Sequence, residues 1–188
     1  MHADLDLRLL LALASGIVIA ATCGLRAFLP LFAIGLAGRL GWLSLHASVR
    51  WLQDDLALIA LGVATLAEIA GDKIPAVDHA LDAVGLLVRP LAEIFGSYVV
   101  LQGWPQPWAS LLALALGGLA LGVQGAKAKA RIGSSAVSLG LANPVLSLVE
   151  DLLALAGAAL AVLVPVLALT LTALAVWLVF GRRRAARA

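Results

Sequence analysis

The chain has 188 residues, of which 63% are hydrophobic and only 13% are charged, with a formal net charge of +2. In soluble domains about a quarter of the residues are charged, so this composition and a mean hydropathy of +1.05 exclude an ordinary soluble domain. A single cysteine, Cys23, excludes an intrachain disulfide. We therefore predict an integral membrane protein whose first partner is the lipid bilayer, and nothing in the charge indicates nucleic-acid binding.

The order of apolar stretches predicts the architecture. A spanning helix needs about 20 mainly apolar residues, and the chain offers six candidates, near residues 9–25, 56–71, 83–100, 108–126, 145–164 and 166–180. The sequence thus predicts an all-α membrane protein with about six transmembrane helices in one membrane domain, whose halves are residues 1–103 and 104–188. Residues 27–37 and 132–142 are candidates for broken or re-entrant segments, with a break expected near residues 24–30.

Basic residues close to the spans predict the orientation. The basic tail at residues 182–187 and the bases within residues 127–131 are expected in the cytoplasm, whereas the uncharged residues 101–107 are expected outside. Counting spans back from that loop places residues 72–82 inside, residues 38–55 outside and the N-terminus inside. We therefore expect a multi-pass protein of the cell inner (plasma) membrane with both termini in the cytoplasm.

If the chain is divided near residue 104, each half has three predicted helices. Because three is an odd number, the second half crosses the membrane in the opposite direction to the first, as in many transporters. Two glycines, a base and an alanine recur with one spacing, at Gly16, Gly24, Arg26 and Ala27 and at Gly117, Gly125, Lys127 and Ala128. This trace allows a 3+3 inverted repeat. The alternative is that the glycines only permit close helix packing, and the GxxxG pair Gly118 and Gly122 also allows a homo-oligomer.

Charged residues of the first half fall on two helix faces. Glu68 and Asp72 are four residues apart and share a face, with Lys73 beside them. The next helix, which Pro75 begins, carries a stripe of Asp78, Asp82, Arg89 and Glu93 on one face. Asp72, Lys73, Asp78 and His79 are expected in the loop or headgroup layer. Arg89 and Glu93 lie deepest and are expected to pair, so a structural ion pair and a substrate site both stay open.

The second half has its own polar group. Asn143 and Pro144 predict a helix start, with a capping side chain followed by a proline in the first turn. Ser147 and Glu150 share a face with Asn143, and Asp151 lies on its flank. Carboxylates early in a helix gain from the helix dipole. The alternative is that both carboxylates lie within the membrane and need basic partners.

Five elements carry a resemblance to a known family, namely GLRAFLPL (24–31), AEIAGDKIPAVDHALD (67–82), RP (89–90), KAKAR (127–131) and ANPVLSLVED (142–151). Together they resemble the bacterial membrane-protein family called domain of unknown function 4126. The resemblance covers nearly the whole chain, and DKIP-x-x-D and NP-x-x-S-x-x-ED are its most specific parts. It implies a small multi-span integral membrane protein and supplies no established activity.

Two functions compete. The leading hypothesis is a transporter or channel-like protein for a small polar or cationic solute, because ionisable residues inside spans mark substrate and ion pathways. Its predicted binding residues are Arg26, Glu68, Asp72, Lys73, Asp78, Asp82, Arg89, Glu93, Asn143, Ser147, Glu150 and Asp151. The alternative is a structural or assembly protein that recruits a partner through the acidic loop at residues 72–82.

Catalysis and cofactors are not expected. The chain contains no HExxH, no GxSxG and no phosphate-binding loop, so we do not expect an enzyme, including one that acts on lipid within the membrane. No cofactor is predicted. A divalent metal has one weak candidate site, formed by Asp78, His79 and Asp82, so metal binding is left open.

Overall fold

The structure is a computed structural model that describes the backbone of residues 2–138 and 142–185, with side chains at residues 7, 9–74, 77, 80–138 and 142–164. The helices in this part of the chain are α1 (His2–Leu25), α2 (Phe28–Arg39), α3 (Asp55–Gly71), α4 (Pro75–Val100), α5 (Trp108–Ser138) and α6 (Asn143–Ala185). Two 3-10 segments, Ala47–Gln53 and Leu101–Gly103, complete the regular structure. The all-α prediction is confirmed.

Three helical segments of the described chain are long and apolar enough to cross a membrane, at Ala80–Gly103, Trp108–Ser138 and Asn143–Val164. Two shorter apolar segments, Leu9–Leu25 and Phe28–Arg39, precede them. The predicted separate spans at residues 145–164 and 166–180 are wrong, because α6 continues through both as one helix of 43 residues. At 1.5 Å per residue α6 is about 64 Å long, roughly twice the thickness of a hydrocarbon core.

Apolar side chains cover the outside of the bundle and charged ones lie within it. α3 exposes Leu56, Ile59, Val63 and Leu66, and long apolar side chains of α4, α5 and α6 are exposed in the same way. Arg26, which is 0% exposed, lies in the interior instead. Soluble proteins rarely expose such contiguous apolar surface. This distribution suits a lipid environment and supports the prediction of a membrane protein.

Four tryptophans, Trp42, Trp51, Trp104 and Trp108, mark one end of the bundle, which we call the tryptophan end. Trp104 Nε1 donates a hydrogen bond to the carbonyl of Leu9 (3.2 Å), which holds the start of α1 beside the connection between α4 and α5. Gln102 Nε2 donates to Ser48 Oγ (3.3 Å) and joins the connection between α2 and α3 to the same end. The opposite end, where Arg26 meets Asp72, is called the cluster end.

The chain reverses direction between α1 and α2. α1 ends at Leu25 and α2 begins at Phe28, which confirms the predicted break. α2 has only 12 residues, or about 18 Å, yet it returns the chain to the tryptophan end. The start of α1 therefore lies at the same end as residues 101–107. The predicted topology, which put the N-terminus across the membrane from that loop, is wrong because it did not count α2 as a return.

The matched segments of the predicted repeat lie side by side. A Cβ built on Gly16 would lie 3.1 Å from Leu116, and one on Gly24 would lie 2.6 Å from Val123, so α1 and α5 pack in register. Both helices run from the tryptophan end to the cluster end. An inverted repeat would make them antiparallel, so the inverted repeat is wrong for these segments. The packing alternative fits Gly16 and Gly24, whereas Gly118 faces open space.

Replacement of Gly24 by alanine tests the packing of α1 on α5. The new Cβ would meet Val123 Cβ at 2.6 Å and the Ala120 carbonyl at 2.7 Å, so we expect Gly24→Ala to lower stability by about 1–3 kcal/mol. Gly118→Ala meets no neighbour and should be neutral or stabilising by up to about 1 kcal/mol through helix propensity. Melting of the detergent-purified variants measures both, and equal melting temperatures would contradict the packing.

The reversal at α2 also predicts which positions share a side of the membrane. Cys23 is fully buried, so single exposed cysteines can be labelled against a low background in sealed vesicles. We expect a membrane-impermeant maleimide to modify Leu7→Cys and Ser48→Cys from one side and Lys129→Cys from the other. Labelling of Leu7→Cys from the same side as Lys129→Cys would instead support the topology that the sequence predicts.

Candidate functional site

Ten charged side chains, contributed by α3, α4, α5 and α6 and by the junctions that follow α1 and α3, meet at the cluster end. We call them the charge cluster: Arg26, Lys73, Arg89, Lys127 and Arg131, with Glu68, Asp72, Asp82, Glu150 and Asp151. Among these described residues five bases face five carboxylates, so the formal charge of the cluster is zero. Buried charges are tolerated when they are paired in this way.

Arg26 stands at the centre of the charge cluster, in the break between α1 and α2. Its Nη1 donates to Asp72 Oδ2, and its Nε donates to Asp151 Oδ1 at 2.8 Å. Its Nη2 also reaches Ser147 Oγ at 3.4 Å. The planar guanidinium carries five donors in a rigid fork, so one side chain joins the end of α3 to the start of α6.

Asp72 is the acceptor that three bases share. Its Oδ2 lies 3.0 Å from Arg131 Nη2 and 3.3 Å from Lys127 Nζ, in addition to its bond from Arg26. Burial alone would raise the pKa of Asp72, but Lys127, Arg26 and Arg131 outweigh burial and hold that pKa below its ordinary value of 3.8. Its other oxygen, Oδ1, is buried without a hydrogen-bond partner.

Two bases of α5, Lys127 and Arg131, extend the charge cluster to α6. Arg131 Nη2 donates to Glu150 Oε2 at 2.8 Å, and Lys127 Nζ lies 3.2 Å from the same oxygen. Asp151 of α6 also pairs with Lys73, whose Nζ lies 3.1 Å from Asp151 Oδ2 and whose side chain is 46% exposed. The charge cluster therefore runs from buried Arg26 to solvent-accessible Lys73 without an interruption in its ion pairs.

Glu68 explains how the chain can break inside an apolar bundle. The first amides of a helix lack partners within it, and α2 has no capping side chain of its own. Glu68 of α3 supplies the acceptors, because its Oε1 accepts from the amide of Ala27 (3.0 Å) and its Oε2 accepts from the amide of Phe28 (3.4 Å). A carboxylate at this position is also stabilised by the helix dipole.

Polar side chains continue from the charge cluster along one face of α4. We call Asp82, Arg89, Glu93 and Ser97 the α4 polar stripe. Arg89 turns to Asp82 (3.4 Å) and Glu68 (3.8 Å), so its predicted pairing with Glu93 is wrong. Glu93 is fully buried, its Oε1 accepts a hydrogen bond from Ser97, and its Oε2 has no partner. The side chain of Ser97 also lies 3.2 Å from the carbonyl of Gly16.

The structure brings most of the predicted site residues together. Glu93 lies beyond the charge cluster in the α4 polar stripe, and Ser147 contacts Arg26. Asn143 begins α6, but its side chain does not cap the helix as predicted, because its Oδ1 accepts no hydrogen bond and its amide nitrogen donates to Ser135 (3.0 Å). The side chain of Asp78 lies outside the described residues. Asp72 lies in the junction after α3, as expected, but it is buried there, with 7% of its surface exposed.

Three side chains of the charge cluster and the α4 polar stripe were missing from the predicted set. Lys127 and Arg131 are four residues apart and so share a face of α5, which is the signal that could have included them. Ser97 follows Glu93 by the same spacing. No group of three metal-ligating side chains occurs in the searched part of the chain, but the side chains of Asp78 and His79 are not among those described.

Apolar helices that enclose a buried charge cluster define an integral membrane protein of the helical-bundle class. The model of the family described as a domain of unknown function (DUF4126) matches residues 13–184. The chain belongs to this family, as the resemblance in its sequence implied. Comparison with curated proteins and with solved structures finds no match. Because the family description assigns no activity, the function has to be argued from the site.

Removal of the Asp72 charge tests the electrostatic balance of the charge cluster. Asp72→Asn leaves three bases around a neutral side chain, so we expect a loss of about 3–5 kcal/mol of stability at neutral pH. The wild-type pKa is depressed, so this difference is fully present above the ordinary value of 3.8 and shrinks as pH falls through the lower, folded-state pKa. The melting temperatures of the wild type and of Asp72→Asn, recorded over a range of pH, measure this difference in stability.

Asp55→Asn is the matched control, because Asp55 is 78% exposed and pairs with Arg39 at the surface (2.7 Å). Exposed pairs contribute about 0–1 kcal/mol, so this variant should melt like the wild type. An Asp72→Asn protein as stable as the Asp55→Asn protein at neutral pH would show that the buried carboxylate is not needed to balance the bases.

Proposed function

We propose that the protein is a transporter or channel-like protein for protons or another small cation. The observation that carries this proposal is the α4 polar stripe, which continues the charge cluster into the interior of the bundle and brings it to Glu93. This carboxyl group is fully buried, with a hydroxyl as its neighbour and one oxygen unpartnered. Ionisable residues in such positions mark ion and proton pathways.

The partners of Glu93 argue against a purely structural role for it. A carboxylate at the centre of a span costs about 2.5–3.5 kcal/mol on insertion scales, and a structural ion pair would offset that cost with a base. Arg89, one turn away, is engaged by Asp82 and Glu68 instead. The second oxygen of Glu93 is therefore available to a proton or to a cation that enters the bundle.

The break between α1 and α2 supports the same function. Interrupted helices are common at the solute sites of secondary transporters, where the freed backbone groups and helix ends face the substrate. Here the amides of Ala27 and Phe28 are bound by Glu68, and the same carboxylate lies 3.8 Å from Arg89. A change in the charge of Glu68 would therefore act on the helix break and on the α4 polar stripe together.

In this proposal the charge cluster closes the pathway at the cluster end. Asp82 is 29% exposed and Lys73 is 46% exposed, so the charge cluster meets solvent at its edge. A cation entering from that side would compete with Lys127 and Arg131 for Asp82, whose Oδ atoms lie 4.0 Å from both bases. Rearrangement of these long pairs is the step that we expect to open the pathway.

A structural or assembly function is the second candidate, and the equal number of bases and carboxylates in the charge cluster favours it. A neutral, fully connected set of ion pairs can hold α1, α3, α5 and α6 in register without binding any solute. This function accounts for Arg26 and Asp72 as well as transport does. It does not explain why a carboxyl group is buried at position 93, because Glu93 has no basic partner among the described residues.

Substitution of Glu93 separates the two functions. We expect the wild-type protein in liposomes to conduct protons under a K⁺ diffusion potential, read by an internal pH dye, or to take up Na⁺ or K⁺. Glu93→Gln keeps the size of the side chain and removes its charge, so flux should fall to the level of protein-free liposomes. Glu93→Asp should keep measurable flux, because it keeps the carboxyl group.

Lys129→Gln is the control, since Lys129 is exposed on α5 and lies outside the charge cluster. It should conduct like the wild type. Wild-type liposomes that pass none of these cations would refute the proposal. Normal flux in Glu93→Gln together with a lower melting temperature would favour the structural function.

A further inference from the structure

Two buried groups of opposite charge on α4 lack hydrogen-bond partners among the residues that the structure describes. Arg89 Nε is a donor without an acceptor, and Glu93 Oε2 is an acceptor without a donor. Their residues are 1% and 0% exposed, and a spacing of four places them one turn apart on one helix face. The guanidinium and the carboxyl group are therefore within reach of each other, yet they do not meet in this conformation.

The present position of Arg89 offers it only long contacts. Its Nη1 lies 3.4 Å from Asp82 Oδ1, and its Nε lies 3.8 Å from Glu68 Oε1. Charge-assisted hydrogen bonds between a guanidinium and a carboxylate are about 2.7–2.9 Å long, and the strong ones are bidentate. Arg89 therefore gains less from these two carboxylates than a close ion pair would give it.

The departure of Arg89 would leave neither of these carboxylates without a partner. Asp82 would still lie 4.0 Å from the ammonium of Lys127 on α5. Glu68 would still accept a hydrogen bond from the amide of Ala27 at 3.0 Å. An uncompensated buried charge is the main cost of breaking a buried ion pair, and that cost is small here.

Gly85 provides the space for the present position. The side chain of Arg89 folds back along α4, so that a Cβ built on Gly85 would lie 3.1 Å from Arg89 Cζ and 3.2 Å from its Nε. The absence of a side chain at this position lets the guanidinium reach Asp82, seven residues earlier. The guanidinium thus has two positions open to it, one over Gly85 beside Asp82 and the other beside Glu93.

We propose that Arg89 moves between these two positions and thereby releases the cation from Glu93. While Glu93 holds a proton or another small cation, its charge is neutralised and Arg89 stays with Asp82 and Glu68. When the ion leaves, the carboxylate attracts the guanidinium, which remains protonated throughout. This ion pair prevents the ion from returning until Arg89 moves back. The proposal rests on the transport function proposed above, and it adds the step that separates binding from release.

Solid-state NMR of the full-length protein in lipid bilayers measures the contact directly, with isotope labels on arginine nitrogen and glutamate carbon. The contact of interest is the one that is lost in both Glu93→Gln and Arg89→Lys. We expect this contact at alkaline pH without Na⁺ or K⁺, and we expect its loss on acidification or on addition of either cation. A contact that is absent under every condition, or present under every condition, would overturn the proposal.

Cys23 of α1 is a second titratable side chain that interacts with Glu93. The measurement is therefore repeated in Cys23→Ala, where we expect the contact to respond to pH as in the wild type. Loss of the response in this variant would show that the thiol, rather than Glu93, controls Arg89, and it would refute the proposal.

Gly85→Ala tests the space that holds Arg89 beside Asp82. The new Cβ crowds the guanidinium, so Arg89 should shift toward Glu93. Because the ion pair favours the carboxylate, the contact should appear at a pH lower by about one unit, a tenfold change in the equilibrium. Gly122→Ala is the control, since its Cβ meets no neighbour within 4 Å, and it should respond like the wild type. An unchanged pH in Gly85→Ala would contradict the proposal.

Flux in liposomes separates this proposal from the transport function. Arg89→Gln should bring cation flux toward the level of protein-free liposomes, because the competing charge is lost, whereas Arg89→Lys should keep measurable flux. Wild-type protein that conducts cations with Arg89 fixed in one position would refute the movement and leave transport standing. A contact that responds to pH in a protein without any flux would refute transport and, with it, the role of Arg89 in release.

Discussion

The ion pair between Arg26 and Asp72 is the interaction on which the rest of the bundle depends. A fully buried guanidinium at the break of a helix must be paired or it destabilises the fold. Asp72 also neutralises Lys127 and Arg131, so one carboxylate joins the helix break to α5. This balance explains why polar groups lie inside a bundle whose outer surface is apolar.

The helix break is stabilised by two interactions that lie far apart in the chain. Glu68 binds the amides that begin α2, and Asp151 binds the guanidinium that precedes it. The backbone can therefore turn within an apolar bundle without leaving its polar groups unsatisfied. The turn makes α1 and α5 parallel neighbours, and it places the charge cluster at the end of the bundle opposite the tryptophan end.

The charged residues that have partners of opposite charge organise the fold, whereas the one that has none is suited to bind a moving ion. The charge cluster is neutral and highly connected, so each of its members has a structural reason to be present. Glu93 stands outside that balance with Ser97 as its hydrogen-bond partner. A carboxyl group of this kind costs stability in an apolar interior, and the pathway that we propose provides the physical reason for keeping it.

The sequence by itself determined the helical class, the membrane setting, the break near residues 24–30 and most of the charged site, because hydropathy and helical periodicity are local properties. Tertiary structure decided which charges pair. Arg89 and Glu93 share a face of α4, yet Arg89 turns to Glu68 of another helix. The direction of α2 and the burial of Asp72 also depended on packing between helices, since contacts distant in sequence leave no periodic trace.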